Sequence, residues 1–227
     1  METLSEPIAL CFSGGKDSVM ALWEIQRRGK CRVTELVTTV TEAYDRVSMH
    51  GVRRELLRRQ AKSLGLPVTE VVVPPQSSNA IYEREMGMAF SRIREKGIRR
   101  IAFGDIFLED LRAYRERQLE AVGLSCFFPL WKKPTRPLAR TFIDGEFRAV
   151  TVCVDPKVLD GSFAGRQFDS AFLNDLPPQV DPCGENGEFH TFVFDGPMFS
   201  RPIEFTEGQR VRRDGFYYCD LLPGATA

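Results

Sequence analysis

Two histidines and two tryptophans are all that the chain has of those residues, and its 31 basic side chains are matched by 31 acidic ones. Without an excess of positive charge there is no extended phosphate-tracking surface of the kind nucleic-acid binders need, so a nucleic-acid partner is not expected. No apolar run approaches the length of a membrane span, and no membrane contact is expected either. The opening METLSEPIALCF puts two acids where a secretory leader would put basic residues. Six cysteines (Cys11, Cys31, Cys126, Cys153, Cys183 and Cys219) are scattered without a Cys-x-x-Cys pair, which argues against a zinc site or a dithiol redox centre. A reducing cytoplasm is the compartment this usage fits. What is present is ordinary: 227 residues, 43% hydrophobic and 27% charged, enough to bury a core without disulfide or metal staples.

From Ile8 to about Phe128, short apolar runs alternate with stretches of helical period. IALCF precedes a helix near Asp17 to Arg28, ELVTTV precedes Gly51 to Leu64, and VTEVVV precedes Asn79 to Lys96. RIAFG, a helix near Glu109 to Val122 and LSCFF continue the series. Such alternation predicts an α/β fold, an open doubly wound parallel sheet covered on both faces, with ligands beyond the carboxyl ends of the strands. Arg53, Arg54, Arg58, Arg59 and Lys62 interleave with apolar residues at helical spacing, and a solvated helix face is preferred over an RNA contact. After PLWKKPTRP the character changes, and the domain boundary is placed there, giving residues 1–131 and a smaller mixed α/β C-terminal domain, 132–227. Its start reads either as a helix capped by Thr135 and closed by Gly145, which is preferred, or as a hairpin turning at Asp144-Gly145. FRAVTVCV and HTFVFD are predicted strands, and RVRRDGFYYCDL a hairpin turning at Asp214-Gly215.

SGGKDS, at Ser13 to Ser18, follows the first strand and opens the first helix, so its backbone amides form a nest for an anion. Gly14 and Gly15 would let phosphate oxygens come close, Ser13 and Ser18 offer hydroxyls, Lys16 brings a mobile positive charge, and Asp17 could hold a magnesium ion or cap the helix. The loop is read as surface backbone in which Lys16 has no packing role. The Walker A pattern is absent, and the loop instead looks like that of the PP-loop ATP pyrophosphatases. A tight strand-to-helix turn is the plainer alternative. Further on, CGENGEFHTFVFDGP places Glu188 and His190 two apart, on one face of an extended segment, with Glu185 ahead of them across an Asn-Gly turn. Two carboxylates and an imidazole so gathered suit proton transfer or amine binding, against the alternative of a polar strand entry. Cys183 is read as a buried structural thiol rather than a nucleophile.

SGGKDS, His50, GDI at Gly104 to Ile106, PLW at Pro129 to Trp131, GENGEFHTF at Gly184 to Phe192 and DGP at Asp195 to Pro197 together resemble the diphthine-ammonia ligase family, over nearly the whole chain. The resemblance implies the HUP (adenine nucleotide alpha hydrolase-like) form of the sheet, with residues 1–131 binding ATP and 132–227 handling the acceptor. It implies ATP around Ser13, Gly14, Gly15, Lys16, Asp17, Ser18, His50, Gly104 and Asp105, where Asp17, from its own chemistry, is the candidate ligand for Mg2+. Lys16, Glu185, Glu188 and His190 become the candidate catalytic residues. The implied reaction adenylates a carboxylate and transfers ammonia, giving an amide, AMP and pyrophosphate; the implied partners are ammonium and a carboxylate-bearing acceptor, such as a protein side chain. A homodimer is left open. Eukaryotic members are expected to carry additional C-terminal domains, so the chain is similar to the short prokaryotic form. Arg112 and Arg115 are read as surface helix charges in preference to anion contacts. Two rivals remain, a PP-loop tRNA-modifying enzyme, whose thiolase members need paired catalytic cysteines that are missing here, and a nucleotide-binding sensor without turnover.

Overall fold

The computed structural model describes residues 5–75 and 77–225. Strand β1 (Glu6–Cys11) is central because Ile8, Ala9 and Leu10 have no exposed surface on either face, as a parallel strand covered on both sides requires. It pairs in parallel with β2 (Cys31–Thr41) on one side and with β5 (Arg100–Ala102) on the other. Beyond β2 lies β4 (Val68–Val73), and beyond β5 lies β6 (Ser125–Phe127), all parallel. A short antiparallel strand that the sequence did not announce, β3 (Arg46–Val47), takes up β2 at Val40 and Thr41, where β1 has already ended.

Helix α1 (Lys16–Arg28) buries Val19, Leu22 and Ile25 and stops at Gly29, whose φ of 66° lets its N–H reach back to Ile25 and Gln26. Helices α2 (Arg54–Ser63), α3 (Asn79–Glu95) and α4 (Glu109–Glu120) fill the remaining crossovers. Chain order therefore reverses between β1 and β5, and the loops after these two strands are neighbours at the point where open α/β sheets bind ligands.

Helix α5 (Thr135–Asp144) settles the Asp144-Gly145 ambiguity in favour of a helix. Thr135 is not its cap, however: Pro134 holds that position and Thr135 is the first helical residue. A second, antiparallel sheet follows, built from β7 (Arg148–Val154), β8 (Phe189–Asp195), β9 (Phe205–Arg213) and β10 (Phe216–Pro223), in the order β8-β7-β10-β9. Asp214 and Gly215, with φ of 51° and 88°, make the hairpin turn between β9 and β10. Helix α6 (Ser170–Asp175) had no legible period; Asp169 caps it by accepting from Phe172 N–H at 2.8 Å.

The two sheets share one apolar interior. Leu10, Phe12, Val19, Leu22 and Leu56 from the first unit pack in the same cluster as Phe142, Val152, Phe172, Phe192 and Leu221 from the second. The opposite face of the first sheet has its own cluster around Val37, Phe90, Ile93, Ile101 and Leu119. Among the described residues no helix is long and apolar enough to cross a membrane.

Candidate active site

Beyond the carboxyl ends of β1, β2 and β5 lies a cavity of about 490 Å³. Of the residues singled out in the sequence, Ser13, Asp17, Ser18, His50, Gly104, Asp105, Glu185 and His190 line it. Gly14, Gly15, Lys16 and Glu188 do not, and each of these four does something the sequence did not disclose. Tyr82, Met86, Leu108 and Leu111 give the cavity an apolar wall. The two neighbouring loops press closely together: a Cβ on Gly104 would stand 2.9 Å from the Asp17 carbonyl carbon.

The SGGKDS loop is stitched to the second sheet. Gly14 carbonyl accepts from Val193 N–H at 2.9 Å and from the Gln60 side-chain amide at 3.0 Å, and the same amide reaches Val193 carbonyl at 2.6 Å. The Thr191 hydroxyl accepts from Lys16 N–H at 3.0 Å, so it satisfies one of the first-turn amides of α1 that have no acceptor inside the helix. Asp17 accordingly does not cap the helix. Gly14 has φ of 81°, and a Cβ there would stand 2.5 Å from Gln60 Oε1; one on Gly15 would stand 3.0 Å from His50 Nε2. Both glycines thus make room for this chain's own side chains.

Lys16 is a buried residue with 3% of its surface exposed, which corrects the reading of a surface lysine without a packing role. Its Nζ donates to Asp17 Oδ2 at 2.9 Å and to the Cys183 carbonyl, and lies 5.0 Å from the ring centre of Phe189 and 5.7 Å from that of Phe168. Burial pulls its pKa down, but the Asp17 carboxylate, with smaller contributions from Cys183 and Glu185, offsets this and holds the ammonium above its ordinary value.

The GENGEFHT segment divides by role. Glu185 reaches across the cavity and accepts from Ile106 N–H at 2.7 Å and Phe107 N–H at 3.3 Å. Burial pushes its carboxyl up to about 7; those two amides pull the other way, and the nearby Asp17 and Asp105 charges add to the rise. Glu188 is buried and turned into its own loop, where Oε1 accepts from Asp181 N–H at 3.0 Å and the Asn186 amide at 2.9 Å. His190 and His50 stack with ring centres 4.5 Å apart. Burial, and then the Lys16 charge, bring His190 down to about 4; burial and His190 hold His50 well below its ordinary value. Both rings are therefore neutral near pH 7, and each offers one nitrogen as an acceptor and the other as a donor.

Arg115 lines the cavity, grips Asp105 through both guanidinium branches and lies 4.4 Å from the centre of the Phe103 ring. Arg112 stays outside, over Trp131 at 4.7 Å and paired with Glu116. The arginines considered for RNA are committed elsewhere: Arg53 to Asp220, Arg54 and Arg58 to Glu70, and Arg59 to Glu55 and the Gly224 carbonyl. Cys183 is buried with its thiol on the Thr135 carbonyl, and burial holds its pKa far above the range of a nucleophile. No cluster of three or more metal-ligating side chains occurs among the described residues. Gln60, Thr191 and Arg115 are the participants that sequence reasoning missed or set aside. Thr191 sat inside the quoted motif as the T of FHTF, whereas Gln60 is one polar residue on an amphipathic helix and carried no signal.

Residues 6–126 match the diphthamide synthase N-terminal domain, and residues 134–222 match the diphthamide synthase C-terminal domain. Among curated relatives, a diphthine–ammonia ligase of Schizosaccharomyces pombe is 24% identical over 92% of this chain, which spans 38% of that relative's length. The diphthine–ammonia ligases of Homo sapiens and Rattus norvegicus are 22% and 23% identical over 86% of the chain, which covers 81% of each. The uncovered share is large in the yeast relative and smaller in the two mammalian ones.

Proposed function

Because the chain belongs to the diphthamide synthase family, we propose that it is an ATP-dependent ligase that converts a carboxylate into an amide with ammonia. The supporting observation is the convergence of SGGKDS, the GDI loop and the GENGEFHT segment on one cavity at the reversal point of the sheet. In this reading ATP is split between its α and β phosphates. The pyrophosphate lies over the amides of Asp17 and Ser18, which have no acceptor inside the helix, and the flat part of the nucleotide lies against Tyr82 and Met86. One Asp17 oxygen is on Lys16; the other is free to hold a magnesium ion arriving with the nucleotide, for which one carboxylate plus phosphate oxygens suffice. An acceptor carboxylate oxygen bonds to the α-phosphorus as pyrophosphate leaves, and ammonia then attacks the acyl carbon as AMP leaves.

Ammonium is protonated at neutral pH, so a base must take a proton before it can attack. Glu185, with a carboxyl near 7 and a place on the cavity wall, suits that task better than His190, which near 4 is too weak a base. Glu188 we assign to holding the loop that presents Glu185. Residues 1–131 would then supply the nucleotide side and 132–227 the acceptor side. The test is product analysis with ATP, a panel of carboxylates and ammonium. AMP and pyrophosphate formed only when both co-substrates are present is the expected result, and ADP with phosphate would overturn the reading.

A further inference from the structure

The Lys16 ammonium group sits in a pocket built for an ammonium ion. Asp17 Oδ2 and the Cys183 carbonyl accept from it, and the faces of Phe189 and Phe168 lie 5.0 and 5.7 Å away. A carboxylate, a carbonyl and two aromatic faces form the complete complement of a small nitrogen cation: hydrogen-bond acceptors, one opposite charge and ring quadrupoles. Phosphate-loop lysines serve as point charges on phosphate, yet this one does not line the cavity and spends its ammonium group on Asp17 and the Cys183 carbonyl. One of the cradle's supports, Asp17, opens onto the cavity, and Gly184, the residue after Cys183, lines it as well.

From this geometry we propose that the cradle of Asp17, the Cys183 carbonyl, Phe189 and Phe168 is the ammonium-binding site of the enzyme, with Lys16 as its resident placeholder. The assignment rests on the ligase reading above and identifies where that reaction's nitrogen waits. When nucleotide phosphates draw Lys16 out, Asp17 Oδ2 and the Cys183 carbonyl lose their donor while the other Asp17 oxygen is left for the magnesium ion, and a buried acceptor without a donor is costly. Ammonium restores the lost charge with the same head group, tetrahedral nitrogen donors in place of a tethered one. A sodium ion supplies the charge without the donors. Exchange of one cation for the other couples the sites: without nucleotide the lysine excludes ammonium, and with nucleotide the cradle becomes available beside the cavity where the acyl group is activated. Glu185, two residues from Cys183, is then close in sequence to take the proton.

Two measurements test this. Lys16→Ala should melt higher in ammonium chloride than in sodium chloride of equal ionic strength, with a saturable dependence; equal melting in both salts overturns the proposal. If that variant does not fold, calorimetric titration with ammonium chloride of the unaltered protein loaded with a non-hydrolysable ATP analogue serves instead, saturable binding supporting the cradle and no binding overturning it. A non-hydrolysable ATP analogue should tighten ammonium binding about tenfold or more, the factor expected if Lys16 otherwise fills the cradle nine-tenths of the time. Equal affinity with and without the analogue overturns it. Ammonium-dependent AMP formation without either response would sink the cradle and leave the ligase reading standing, whereas both responses without AMP formation would do the reverse.

Discussion

Replacing Lys16 by alanine takes a buried cation from beside Asp17 and leaves the Cys183 carbonyl without its donor. Loss of the buried partner of a pair whose carboxylate is partly exposed costs about 1–3 kcal/mol. A melting temperature several degrees below the parent is expected, and an unchanged one would show that the buried position has no structural weight. Glu185 gives a pH signature. Its carboxyl lies at about 7 in the folded protein against an ordinary 4.5, so the native state binds more protons than the unfolded one between those values, and stability from this group falls as pH rises through that window. His190, at about 4 against 6.5, contributes the opposite slope, stability rising between about 4 and 6.5. The two oppose each other up to about 6.5, and Glu185 alone acts from there to 7. Glu185→Gln should therefore gain stability relative to the parent as pH rises from 4.5 to 7; a difference that does not vary with pH would contradict the burial-driven shift. The same variant should lose amide product by more than it loses exchange of labelled pyrophosphate into ATP, and an equal loss would move Glu185 from amine chemistry to nucleotide binding. The residue types at the site were readable because phosphate loops and acid-rich turns have few spellings. What they touch was not, because a lysine in a glycine loop is written alike whether it faces solvent or, as here, two phenylalanines 173 and 152 positions away in Phe189 and Phe168.

Among the elements, β8 carries the most connections relevant to function. It hydrogen-bonds β7 along one edge and delivers His190 to the cavity, Thr191 to the amide of Lys16 and Val193 to the carbonyl of Gly14. Helix α2 locks this arrangement through Gln60, buried completely and bonded to both Gly14 and Val193. Gln60→Leu keeps the volume and forfeits both bonds, at about 1–3 kcal/mol. Because Gly14 would keep only Val193, the KM for ATP should rise by more than kcat falls; a variant with parental KM would show that the latch does not set the loop. Strand and helix periodicity located α1 to α4 within a few residues, since amphipathic stripes report packing against a sheet directly. Strand β3 and helix α6 escaped because they have two and six residues, shorter than a period needs to register. Thr135 was misplaced for a different reason: any hydroxyl before a helix looks like a cap, and here Pro134, with its extended backbone, fills that position.

At the scale of the molecule, the change of composition near residue 132 marks a change of sheet but not a break in the interior, because one apolar cluster runs through both units. Hydrophobic patterning shows which face of an element is buried and is silent on whether the covering element lies in the same domain. We expect a single cooperative calorimetric transition for the whole chain, and residues 1–131 alone, with Leu22, Leu56 and their neighbours uncovered, to bind hydrophobic dyes and melt without a sharp transition. Two resolved transitions, or a sharply melting fragment, would make the units independent. The bond between Lys16 N–H and the Thr191 hydroxyl also sets a schedule for synthesis, since 175 residues separate its ends. At roughly 5–20 residues per second a ribosome needs roughly 9–35 s to pass from one to the other. Throughout that interval the nascent chain holds its glycine loop without the strand that fixes it, so under the proposed function nucleotide capture would wait until translation is nearly complete, and a chain truncated before β8 would be released with that loop unpinned.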